Sequence, residues 1–157
     1  MNLIAYDNVL KDPKSYIKNI HSNEFQDIYD GHNVFKNIQP RDNKDEFSKY
    51  MLELFPNYNV SINFIRKSPL HQHEPNFVHT DKMMGDITCI LYLNEEAPTT
   101  DGTTIYDESG KPFFRMYSKF NRVIAFNSDA SHSRNILENF GEDENARLVQ
   151  IIFLKEK

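Results

Sequence analysis

The chain has 157 residues, 39% of them hydrophobic and 13% aromatic, which excludes general disorder and suits one domain with a core of its own. A formal charge of −5, from 18 Lys+Arg against 23 Asp+Glu, argues against a nucleic-acid backbone as partner, and no apolar run is long enough to span a bilayer, so no membrane partner is expected. The single cysteine, Cys89, excludes an internal disulfide, an all-thiolate zinc site and a CxxC redox pair.

Met1–Tyr6, followed by Asp7, lacks the basic segment and long apolar core of a signal peptide, so a reducing, cytoplasmic location is expected. Asp12 before Pro13 is a cap followed by proline at the first helical position, and Tyr16, Ile17 and Ile20 then form one apolar face. Asn43 and Glu46 have capping-box spacing. Phe47, Tyr50, Met51 and Leu54 follow at helical intervals until Pro56 ends the run. Ser22–Pro40, between the two helices, mixes Gly31, polar residues and isolated aromatics, and reads as a loop with short strands at most.

From Val60 the apolar period changes to two. Val60–Arg66, Ile87–Leu93, Thr103–Tyr106, Phe113–Tyr117, Arg122–Phe126 and Arg147–Leu154 are predicted strands, separated by clusters of Pro, Gly, Asn and Asp. The expected architecture is mainly β within an α+β class: residues 1–57 a helical support, residues 58–157 a sandwich or barrel-like roll, all in one domain. Ser68–Met84 holds three histidines and two prolines with little periodicity, and reads either as a long loop or as a functional one.

Metal chemistry enters through His79-Thr80-Asp81. Residues i and i+2 of an extended segment project to one side, so an imidazole and a carboxylate there can take adjacent positions on one ion. The same pair also reads as a surface hydrogen bond. His132, just after the apolar strand that ends at Phe126, is either a polar loop residue or the third ligand. In the second case the set is a facial triad with open positions, as in non-haem Fe(II) oxygenases. Arg147 shares a strand face with Val149, Ile151 and Phe153. Directed inward it needs an anionic partner; directed outward, at the strand's very start, it needs only water. Tyr92 can pack its ring in the core and lend its hydroxyl to the same anion.

Thr88-Cys89-Ile90-Leu91-Tyr92-Leu93-Asn94, a few residues after His79-Thr80-Asp81, resembles the corresponding stretch of prolyl-hydroxylase-type 2-oxoglutarate, Fe(II)-dependent oxygenases. Asp101-Gly102-Thr103-Thr104 sits where that family often has a Gly-Gly-x-Thr turn, and Asn121–Phe126, leading to Asp129 and His132, is similar to the strand that delivers its distal histidine. The strand from Arg147 resembles the one that supplies the cosubstrate arginine, so the likeness runs from about Val60 to Leu154.

The resemblance implies a double-stranded β-helix, the jelly roll of cupin-like proteins, with the N-terminal helices packed on one sheet. It implies that His79, Asp81 and His132 bind Fe(II), and that Arg147 and Tyr92 bind the distal carboxylate of 2-oxoglutarate, with O₂ as oxidant and ascorbate as an accessory reductant. It implies a dioxygenase that hydroxylates a C–H bond of a small molecule or of a residue such as proline in a short peptide, and Asp81 in place of a small residue favours hydroxylation over halogenation.

The sequence departs from the family pattern at two points. Asp101 replaces the first glycine of the turn, and Ile62-Asn63-Phe64-Ile65-Arg66 lacks the tyrosine that many relatives carry before the His-x-Asp. Arg134 is a rival contact for cosubstrate or substrate. His71-Gln72-His73 reads as a flexible loop at the site mouth, since the glutamate spacing of a cupin site is missing, and Cys89 reads as a small core residue. Ser68–Asn76, Glu95–Thr100 and the Asp107–Phe113 turn are the candidate specificity segments. The competing functions are a cupin-type metal protein that does not use 2-oxoglutarate and a catalytically silent jelly-roll binding module.

Overall fold

The computed structural model describes residues 3–157. Its elements in chain order are β1 (Leu3–Tyr6), α1 (Pro13–His21), β2 (Gln26–Asp30), β3 (Asn33–Pro40), α2 (Glu46–Leu54), β4 (Tyr58–Ser68), β5 (Ile87–Tyr92), β6 (Gly102–Tyr106), β7 (Pro112–Tyr117), β8 (Arg122–Asn127), β9 (His132–Arg134) and β10 (Arg147–Glu156), with one 3-10 turn at Asp143–Asn145 before the last strand. A seven-stranded antiparallel sheet has the order β1-β8-β5-β10-β4-β3-β2, and a three-stranded sheet the order β7-β6-β9. The chain is thus mainly β, with two helices.

Strict alternation divides the large sheet into two chemically different faces. On β5, Ile87, Cys89 and Leu91 join one apolar cluster with Ile65, Val123, Ala125, Leu148, Ile152 and Leu154, and this face is covered by Ile20 of α1 and by Phe47 and Met51 of α2. The intervening residues, Ile90 and Tyr92, face the other way. They pack with Ile124, Phe126, Val149 and Ile151 of the large sheet and with Ile105 and Met116 of the small one. Register keeps each face consistent: Cys89 lies opposite Ala125 and Ile152, Ile90 opposite Ile124 and Ile151. The space between the sheets is therefore reached only by alternate side chains of each strand.

The helix entries obey local capping chemistry. Asp12 accepts from Ser15 N and Pro13 opens α1, as the sequence indicates. For α2 the expected Asn43–Glu46 box does not form. Asp45 is the cap, its Oδ1 2.9 Å from Ser48 N, and Glu46 instead accepts from Lys11 N at 2.7 Å. Asp42 turns the chain just before it by accepting from Lys44 N, which moves the helix start past Asn43. Leu54, the last residue of the predicted apolar face, is more than a third exposed.

Residues 1–57 are not a purely helical support. β1 pairs with β8, from Leu3 opposite Phe126 to Tyr6 opposite Val123, and closes one edge of the large sheet. The Ser22–Pro40 segment forms the β2–β3 hairpin, which joins β4 through Ile38, Gln39 and Pro40 and extends the opposite edge. Its apolar residues Ile28, Tyr29, Val34 and Phe35 are exposed, so the hairpin carries no in–out alternation that burial could impose. Cys89 is fully buried, and its thiol pKa is raised by that burial.

Candidate metal and anion site

His79 stands outside the named strands but pairs with His132 of β9 by two backbone bonds, His79 N to His132 O at 3.0 Å and His132 N to His79 O at 2.9 Å. That bridge sets the two imidazoles side by side, with ring centroids 4.3 Å apart. Asp81 is fixed by its own backbone N, which donates to Ser128 O at 2.8 Å, while Ser128 N is held by Asp86 O. Three residues from two chain segments are positioned by main-chain bonds rather than by side-chain contacts alone.

Each imidazole is also oriented by its second nitrogen. His79 Nδ1 lies 3.0 Å from Phe77 O and His132 Nδ1 3.0 Å from Ala130 O. A carbonyl can only accept, so each Nδ1 carries a proton, and each Nε2 offers its lone pair when the ring is neutral and donates when the ring is doubly protonated. Those two Nε2 atoms face one carboxylate: His132 Nε2 is 3.0 Å from Asp81 Oδ2 and His79 Nε2 is 3.5 Å from Asp81 Oδ1. One ligand atom from each residue lies within 4.8 Å of the other two. Metal bonds of about 2.0–2.2 Å at right angles set neighbouring donors about 3 Å apart, so this donor set fits a single ion. Burial pushes the Asp81 pKa up, but the hydrogen bond from His132, the nearby histidine charges and the Thr88 hydroxyl outweigh it and hold the carboxyl below its usual value. Thr88 Oγ1 donates to Asp81 Oδ2 at 3.2 Å and lies 2.9 Å from Ser128 Oγ, an outer layer that orients the carboxylate. His132 is buried against Phe126, whereas His79 is partly exposed beside the exposed Phe77, so the site opens on the His79 side.

Arg147 takes the inward alternative. It is 5% exposed, and its Nε donates to Asp101 Oδ1 at 3.2 Å. The anionic partner demanded by burial is thus present within the chain, at the position where the resembled turn has glycine. Tyr92, opposite Val149 on β10, is equally buried; burial pushes its phenol up to about 12, and its hydroxyl lies 2.7 Å from Thr103 Oγ1 of the small sheet. Asp101 and Thr103 therefore tie the small sheet to Arg147 and Tyr92 of the large one.

A second set of charges lies alongside. Arg66, opposite Val149 on β4, places Nη1 3.4 Å from Glu74 Oε1, and Arg134 Nη1 is 4.0 Å from Glu74 Oε2. Glu74 also accepts from Asn139 at 2.7 Å and from Gln72 at 3.2 Å. It belongs to the expected specificity segment Ser68–Asn76, which is tethered by Leu70 N to Gly141 O and by Asn76 Nδ2 to the carbonyls of Arg134 and Ile136. His71 and His73 on this strap are exposed, and among the described residues they join no cluster of metal-binding groups. Thr88, Asp101, Arg66 and Glu74 are the site residues to which sequence reasoning assigned no role. Their one local signal is the charged Asp101 in a turn where the resembled motif has glycine.

No protein-family model matches the sequence, and no curated protein matches it. Solved structures do. The non-haem α-ketoglutarate-dependent epimerase SnoN from nogalamycin biosynthesis superposes with a TM-score of 0.71 at 9% identity, over 98% of this chain and 77% of that one. A prolyl hydroxylase from Trichoplax adhaerens, in complex with a hypoxia-inducible-factor peptide fragment, gives 0.66 at 16% identity, over 98% and 83%. HygX from Streptomyces hygroscopicus, with nickel and 2-oxoglutarate bound, gives 0.64 at 10% identity, over 99% and 83%. The fold of this chain is accordingly the double-stranded β-helix of the 2-oxoglutarate- and Fe(II)-dependent oxygenases.

Proposed function

We propose that this protein is an Fe(II)- and 2-oxoglutarate-dependent dioxygenase that hydroxylates a C–H bond of a small molecule or of a residue, such as proline, in a short exposed peptide. One observation carries the reading: His79, Asp81 and His132, a group that could hold a metal, cluster at one end of the space between the sheets, and a buried arginine with a tyrosine lies toward the other. Thr88, bonded to Asp81, and Tyr92 lie four residues apart on β5, about 13 Å of strand. The interval between them is apolar, with Ile90, Ile124 and Ile151 in register. A short dicarboxylate suits that arrangement, its polar ends at the two charged sites and its methylenes against the isoleucines.

Bound together with O₂, iron and 2-oxoglutarate supply an oxidative decarboxylation to succinate and CO₂ and with it the oxidising power for hydroxylation. The chain's own residues hold and orient. His79, His132 and Asp81 would coordinate the metal through Nε2, Nε2 and a carboxylate oxygen, and the carbonyls of Phe77 and Ala130 keep the histidines in the required tautomer. Arg147 and Tyr92 would take the distal carboxylate. Substrate enters on the His79 side, past Phe77. Among the described residues no helix is long and apolar enough to cross a membrane.

Anaerobic titration with Fe(II) and 2-oxoglutarate tests the proposal. The expected result is a weak visible charge-transfer band that needs both additions and disappears in His79→Ala and Arg147→Ala. Metal binding with no such band would replace the reading with a cupin-type metal protein.

A further inference from the structure

Arg134 lies on the inner face of β9. It pairs in register with Thr103, whose hydroxyl meets Tyr92, and Asp101, two residues before Thr103, holds Arg147. Its Nη1 is occupied, donating to Asn139 Oδ1 at 2.7 Å. Its Nη2 is buried and has no acceptor. Interior donors are nearly always paired, and a charged one left alone is among the costlier exceptions. Arg134 and Arg147 thus bring two like charges to this end of the interior. Arg147 in turn engages protein through Nε alone, and among the described residues neither of its terminal nitrogens has a protein acceptor. Three guanidinium groups, Arg66, Arg134 and Arg147, here face two carboxylates, Glu74 and Asp101, while Asp81 is engaged with the histidines. Among these five groups one positive charge is uncompensated.

We infer that Arg134 is a second anchor for the distal carboxylate of the 2-oxo acid, its free Nη2 donating to the anion that Arg147 and Tyr92 hold from the large sheet. The inference rests on the proposed function and deepens it. A single carboxylate between the two arginines satisfies the orphaned donor, relieves the repulsion and brings the local charge to zero. Asp101 sets the count: by holding Arg147 Nε it leaves room for one negative charge. The ligand end is therefore a monoanionic carboxylate and not a phosphate dianion.

Arg134 also ties the strap through Asn139, so the test must separate binding from scaffolding. Affinity for 2-oxoglutarate, read from the charge-transfer band, is compared with that for 2-oxopentanoate, which lacks the distal carboxylate, read by competition, in wild type, Arg134→Gln and Arg134→Lys. Fe(II) affinity and the thermal midpoint serve as controls. The expected result is a roughly 10- to 100-fold loss for 2-oxoglutarate in Arg134→Gln, the range of one charge-assisted hydrogen bond, with partial recovery in Arg134→Lys and less than a threefold change for 2-oxopentanoate. Equal losses for both ligands, or 2-oxoglutarate binding within threefold of wild type, would overturn the inference while leaving the proposed function intact. A wild type that binds iron but no 2-oxoglutarate would overturn the proposed function and this inference with it.

Discussion

Replacing Asp101 by alanine leaves Arg147 in the interior with no carboxylate, and the cost follows from the burial of both partners. Arg147 is 5% exposed and Asp101 2%, with Nε and Oδ1 3.2 Å apart. Removing one member of a buried pair costs about 3–5 kcal/mol. Asp101 Oδ1 also accepts from Gly102 N at 2.8 Å, and loss of that bond adds about 0.5–1.5 kcal/mol. At this chain length 1 kcal/mol moves the melting temperature by about 2–4 °C, so Asp101→Ala is expected to melt about 7–25 °C below wild type. Much of that loss belongs to the stranded guanidinium, so Arg147→Met in the same chain should restore part of it. The assay is thermal and urea unfolding of wild type, both single variants and the double variant, followed by circular dichroism. A coupling energy above about 2 kcal/mol is expected for contacting buried charges. Additivity to within about 0.5 kcal/mol would refute the argument that this pair joins the two sheets.

Other consequences are equally direct. Asp45 caps α2 and also accepts from Gln150 Nε2 at 2.8 Å; burial pushes its pKa up, but the Ser48, Gln150 and Asn63 hydrogen bonds outweigh this and lower it below 3.8. A depressed folded pKa stabilises above the unfolded value and is lost as pH falls through the folded one, so the urea-midpoint gap between wild type and Asp45→Asn should narrow below about pH 4; a gap constant from pH 6 to 3 counts against it. Gly102 has φ +147, and a Cβ there would lie 1.9 Å from Met116 O and 2.8 Å from Asn135 Nδ2. Gly102→Ala should therefore cost at least about 2 kcal/mol in urea unfolding and weaken 2-oxoglutarate binding through Asp101 and Thr103 on either side. Phe47→Ala, at a fully buried position of α2, should cost about 3–5 kcal/mol in urea unfolding without changing Fe(II) affinity, because the sheet face it packs on is not the one nearest the triad.

The large-sheet strands β4, β5, β8 and β10 are legible because each has one face buried against the helices, which imposes alternation on the residues. β1, with four residues and only Leu3 and Ile4 partly covered, has too short a pattern to register, and β9 is His132-Ser133-Arg134, with no apolar residue at all. The triad is visible as residue types and spacing, but the bond that assembles it, His79 to His132, joins segments 53 positions apart and leaves no local trace. Asp101 illustrates the limit most clearly. As a departure from a glycine turn it is evident in the sequence, yet its meaning depends on a partner 46 residues away. Arg66, Glu74 and Arg134 come from a strand, a strap and a three-residue bridge, and no periodicity connects them.

The two faces of the large sheet divide the labour between stability and chemistry. The helix-covered face is mainly apolar, and its buried polar groups, Gln150 and Asn63, bond to each other and to Asp45 at the cap of α2. The interior face carries Arg66 and Arg147 as well as the isoleucines, and charges there are tolerated only because the small sheet and the strap bring Asp101 and Glu74 to meet them. A face balanced in this way, but short by one negative charge, should be stabilised by an anion that completes it. Ligand binding and sheet-to-sheet cohesion should then be linked: with metal present, saturating 2-oxoglutarate should raise the melting temperature of wild type, by mass action, and much less that of Arg147→Met. An equal rise in both would mean that the anion binds elsewhere than between the sheets.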